Sequence, residues 1–139
     1  MKQCFYALCY LPITLGSPID KAKPELEGRW KPQRFERVTY SPEGKVLRKA
    51  TQNADFTTLK ELIITRQSVT FNSPEYSAPI SRAYTRQADT LLLSLKPDNG
   101  IMKLVIKHLD AHKLALRLVE VQSIGPRHYR SNADTFLVR

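Results

Sequence analysis

Apolar side chains recur at every second position in three successive segments of the chain. Leu91, Leu93 and Leu95 form one such row; Met102, Leu104 and Ile106 form the next, alternating with Lys103 and Lys107; Leu114, Leu116 and Leu118 form the third. Successive side chains of an extended strand point to opposite faces, so each row lies on one face of its strand. Pro97-Asp98-Asn99-Gly100 and Asp110-Ala111-His112 supply turn residues between the rows, which makes the three segments an antiparallel meander. Less regular alternation predicts further strands over residues 29–40, 45–52, 59–65, 68–71 and 78–86, with Ser41-Pro42-Glu43-Gly44 turning the chain after the first. A final strand is expected over residues 128–138, in which Ser131-Asn132-Ala133-Asp134 is placed to interrupt the pairing. No segment sustains a helical period, and residues 56–64 form one helical turn at most. The expected fold is all-β: an antiparallel up-and-down barrel of eight to nine strands, because closure removes the exposed edges of a long meander.

The first residues break this pattern. Lys2 precedes the apolar run Cys4-Phe5-Tyr6-Ala7-Leu8-Cys9-Tyr10-Leu11, and Thr14 and Gly16 follow it. The run is shorter than the ~20 apolar residues that span a bilayer, and small residues sit where a signal peptidase would read them. Residues 1–16 therefore read as a signal peptide cut after Gly16, residues 17–27 as a linker ending in a helical turn at Pro24-Glu25-Leu26, and residues 28–139 as the barrel domain. A buried first strand of a cytosolic protein is the alternative. Both cysteines, Cys4 and Cys9, fall in the leader, so the mature barrel holds itself together without a disulfide. Tyr6-Ala7-Leu8 lacks the small residue that a lipidated cysteine needs before it. The expected location is the periplasm or the exterior, with no transmembrane segment in the mature chain.

Twenty-two Lys and Arg against 13 Asp and Glu give a formal charge of +9. Such an excess favours anionic partners, an anionic envelope component among them, yet the charge is dispersed and its densest cluster is Lys45, Arg48 and Lys49. A dispersed excess also describes an ordinary solvated surface. Interleaved aromatic stacking positions are missing, so no nucleic acid is expected as a partner.

Catalytic signatures are absent: the chain has no Gly-x-Ser-x-Gly, no phosphate-binding glycine loop and five glycines in all. No cofactor, no metal and no enzymatic activity are expected. His108-Leu109-Asp110-Ala111-His112 carries metal-ligand residue types, but two histidines flanking a solvated turn fall short of the three or four converging ligands of a zinc site. Glu75, Asp89, Asp98 and Asp110 all fall in turns, where acidic residues ordinarily sit, so no carboxylate pair can be assigned. In Ile80-Ser81-Arg82-Ala83-Tyr84-Thr85-Arg86, the residues Ile80, Arg82, Tyr84 and Arg86 share one face. Pointing inward, Arg82 or Arg86 pairs with an anionic head while apolar groups hold a tail. Pointing outward, the face is solvated with snorkelling arginines, the arrangement favoured by the cost of burying an unpaired guanidinium.

Leu26-Glu27-Gly28-Arg29-Trp30 resembles the opening of lipocalin-like domains, a Gly-x-Trp at the start of the first strand. Tyr84 with Asp89-Thr90-Leu91, Ile106 to Leu109 with Leu114-Ala115-Leu116, and the closing Phe136-Leu137-Val138-Arg139 resemble the strand pairs of bacterial lipocalin-like proteins. The resemblance implies a barrel plugged at one end by Gly28, Trp30 and Arg139, the arginine packing over the indole. It also implies an exported binding protein for a small hydrophobic or amphipathic ligand. The candidate ligand-binding residues are then Arg82 and Tyr84 at the mouth, with Leu91, Leu93, Leu104, Ile106 and Leu116 from the inward rows. A barrel filled by its own side chains, acting through its basic surface, is the alternative.

Overall fold

The computed structural model describes residues 24–53, 59–95 and 100–139. Among these residues are nine antiparallel strands: β1 (Gly28–Tyr40), β2 (Val46–Asn53), β3 (Glu61–Ile64), β4 (Ser68–Asn72), β5 (Ile80–Gln87), β6 (Thr90–Leu95), β7 (Gly100–Leu109), β8 (Lys113–Ile124) and β9 (Arg127–Val138). Eight of them close in the order β1-β3-β4-β5-β6-β7-β8-β9, the last pairing with the first, and β2 adds a ninth strand beside β1. This is the up-and-down barrel that the alternating rows predict.

Strand β1 organises the two ends. Its first residues pair with β3, Gly28 opposite Ile64 and Trp30 opposite Leu62. Beyond Arg34 the same edge pairs with β2, while the other edge follows β9 from Lys31 to Tyr40. The step between the two halves is a bulge: Pro32 faces Leu137 but Arg34 faces Phe136, leaving Gln33 as the extra residue. Because side chains alternate, one extra residue reverses which set points inward. Trp30 and Pro32 are buried ahead of the bulge; past it Phe35, Arg37 and Thr39 take the inward positions, in register with Ala133 and Ser131 of β9.

The core fills one half of the barrel. Leu26, Trp30, Leu62, Ile64, Val69, Leu91, Leu93, Leu104, Ile106, Leu114, Leu116 and Leu137 form a single buried cluster. The turns after β3, β5 and β7 all lie at this end; the β1–β2, β4–β5 and β8–β9 connections lie at the other. There the wall opens out, because β7 pairs with β8 only along Leu104 to Leu109, whereas β8 and β9 stay paired out to Ile124 and Arg127.

Two expectations need correction. Residues 24–27 form no helical turn; Leu26 is buried instead, and its carbonyl accepts the Trp30 indole N–H at 2.9 Å. One isolated turn is a costly nucleus, and packing under the indole supplies the better alternative. Strand β9 also runs without a break through Ser131-Asn132-Ala133-Asp134. Its neighbours on both sides keep those residues paired, and Asp134 is locked by two hydrogen bonds from Arg117 at 2.7 and 2.8 Å.

Candidate ligand-binding site

The closed end is sealed by stacked side chains. Trp30 is fully buried, and the Arg139 guanidinium carbon lies 4.1 Å from the centre of its ring. Arg139 also donates to the Glu25 carbonyl, tying the last strand to the segment that precedes the first. Gly28 stands beside this arginine with φ of +142°, a conformation that side chains other than glycine's rarely adopt. Tryptophan supplies the plate, and the cation over its face holds the plate in place.

Above the core, the lumen is hollow. A chamber of about 330 Å³ is lined by Leu59, Phe71, Ile80, Leu93, Leu95 and Met102, with Ser73, Tyr76 and Arg82 in its wall. It forms because β4 to β7 present apolar residues inward while the strands opposite have changed character. Past the Gln33 bulge, β1 offers Arg37 and Thr39, and β2, β8 and β9 offer Arg48, Gln52, Gln122 and Ser131. Together with Phe35, Ala50, Ala133 and the carboxylates of Glu36 and Asp134, they line a second space of about 650 Å³, a mixed vestibule that shares Leu59 with the chamber. Within it the Thr39 and Ser131 hydroxyls hydrogen-bond at 3.1 Å, and Arg37 pairs with Glu120 at 3.3 Å. The open half thus joins an aliphatic chamber to a vestibule whose wall carries cationic, anionic and hydroxyl groups.

Arg82 corrects the outward reading of its strand. Ile80, Arg82 and Tyr84 are half-buried while Ser81, Ala83 and Thr85 are exposed, so the arginine face of β5 points inward. Arg82 stands opposite Val69, a fully buried residue of β4. Tyr84 shares the face but not the location expected for it. Its hydroxyl donates to the Thr65 carbonyl at 2.6 Å in the β3–β4 turn, which belongs to the closed end. Burial, and then the nearby Glu27 carboxylate, push the Tyr84 phenol above its ordinary pKa.

Leu93 lines the chamber; Leu91, Leu104, Ile106 and Leu116 belong to the packed cluster beneath it. The residues missed by pattern reading are Leu59, Phe71 and Met102 in the chamber and Arg37, Thr39 and Arg48 in the vestibule. Met102 stood at the end of a visible row, whereas the β1 residues were hidden by the change of phase at Gln33.

The histidine pair serves a turn. Asp110 Oδ2 lies 2.7 Å from His108 Nε2, while Oδ1 accepts the backbone N–H groups of His112 and Lys113 at 2.8 and 2.7 Å. These hydrogen bonds hold the Asp110 carboxyl down at a pKa of about 2. Among the described residues, no group of three or more His, Cys, Asp or Glu side chains is placed to hold a metal ion.

No family model and no curated protein matches the chain. Among solved structures, a deswapped triple mutant of bovine odorant binding protein is similar at a TM-score of 0.44 and 14% identity, covering 81% of this chain and 72% of that one.

Proposed function

We propose that this protein is an exported, non-enzymatic carrier or sensor of a small hydrophobic or amphipathic molecule. The observation that carries the reading is the two-part lumen above a filled core. A chamber of about 330 Å³ is the size of a small-molecule pocket, and its aliphatic lining beside a few convergent polar groups is how such pockets divide their work. The apolar part of the ligand occupies the chamber. An anionic end faces Arg82, or Arg37 and Arg48 in the vestibule, where a charge-assisted hydrogen bond fixes its orientation.

A fluorescent medium-chain fatty acid titrated into the purified protein is expected to bind saturably. The free acid should displace it better than the matching fatty alcohol. Met102→Trp, which fills the chamber, should weaken binding by about tenfold or more, the effect of losing roughly 1.4 kcal/mol of contact. The absence of saturable binding by any apolar probe, or binding that ignores Met102→Trp, contradicts the reading. Export rests on the leader-like residues 1–16, which lie outside the described residues. N-terminal sequencing of the protein from its native cell should begin at Ser17; an N-terminus at Met1 or Lys2 rejects export by this route.

A further inference from the structure

The two hairpin tips at the open end carry features that ligand binding does not use. Strands β2, β1, β9 and β8 are neighbours, Tyr40 pairing with both Val46 and Arg130 and Arg130 with Val121, so the β1–β2 and β8–β9 tips stand side by side. They expose large apolar side chains: Val46 is 60% exposed, Leu47 57%, Val121 64% and Ile124 60%. Around these stand the exposed cations Lys45, Lys49, Arg127 and Arg130. The acidic residues of the two tips are Glu43 and Glu120, and Glu120 is already paired with Arg37. Arg130 is steadied over the Tyr40 ring at 5.1 Å.

We infer that this pair of tips docks the open end of the barrel onto an anionic phospholipid surface. Apolar side chains ringed by cations match the two layers of such a surface, the cations meeting phosphate and the aliphatic groups entering the acyl boundary. A soluble polyanion would satisfy the cations but leave Val46, Leu47, Val121 and Ile124 in water. A second copy of the chain would bring four like charges against four. The bilayer is the partner that answers both features, and the tips lie at the end where the vestibule opens.

The test is co-sedimentation of the purified protein with vesicles of phosphatidylcholine alone and with about one-quarter phosphatidylglycerol. Pelleting is expected with the anionic vesicles only, and should be lost at about 0.5 M salt, where surface attraction is screened. Lys45→Gln combined with Arg127→Gln should weaken it roughly 30-fold, at about fivefold for each cation near the surface. Leu47→Ser combined with Ile124→Ser keeps the charge and should still weaken it by about tenfold. Met102→Trp should pellet as the parent does, which separates docking from ligand binding. Failure to pellet with anionic vesicles overturns the inference. So does pelleting that ignores Leu47→Ser with Ile124→Ser, the result expected if charge alone, a polyanion site or the leader segment is responsible.

Discussion

Individual residues carry the closed end and its turns, and backbone conformation there makes paired expectations. Gly28 holds φ at +142°, and a methyl group added to it would sit 3.6 Å from Arg139 Cζ, an ordinary contact. The cost of Gly28→Ala is therefore conformational, about 1–2 kcal/mol. Ala88, at φ of 52° in the β5–β6 turn, is the converse: Ala88→Gly relieves a left-handed alanine and is expected to stabilise by about 1 kcal/mol. Urea midpoints moving down for the first and up for the second would agree; equal shifts of one sign would not. Asp110 gives a pH dependence. Its folded pKa lies at about 2, below the ordinary 3.8, so its contribution is complete above the ordinary value and is lost as pH falls toward 2. Asp110→Asn should flatten the stability profile between about pH 4 and pH 2 relative to the parent, read by thermal midpoints across that range.

Strands explain what could and could not be read from the chain. Leu91, Leu93 and Leu95, and the two rows after them, alternate in the sequence and lie buried or half-buried on the inward faces of β6, β7 and β8, where their pattern predicts. The place of Trp30 was suggested by the resemblance of its Gly-x-Trp opening, not by alternation along the strand. Strand β1 resists reading. Even positions from Trp30 onward look like one face, yet Gln33 inserts a residue and hands the lumen to Phe35, Arg37 and Thr39. Pro32 beside the bulge lacks the N–H that a central strand would donate, and is the one local hint that pairing changes there. Arg82 was misjudged because burial cost was weighed for a packed interior, whereas the wall it joins borders open space. If Gln33 acts only through the backbone, Gln33→Ala should leave stability within about 0.5 kcal/mol of the parent, while deleting the residue should abolish soluble folded protein. A deletion variant that unfolds at the parent's urea midpoint would remove the bulge from the account.

At the scale of the molecule, the barrel is packed in one half and hollow in the other. Trp30 and its cluster exclude solvent and ligand alike from the closed end, so stability is concentrated there. The open half gives up packing, and its wall of long, partly unpaired strands ends in the exposed tips. Division of labour between a filled base and an open chamber lets a short chain without a disulfide in its barrel keep a cavity at all. Xenon diffraction from crystals under pressure interrogates that division directly, since the gas occupies apolar space that side chains leave empty. The account predicts a xenon site bounded by Phe71, Leu93, Leu95 and Met102 and none between Trp30 and Leu114. Xenon among the Trp30 cluster, or a chamber that takes up no gas because its side chains have collapsed into it, would contradict it.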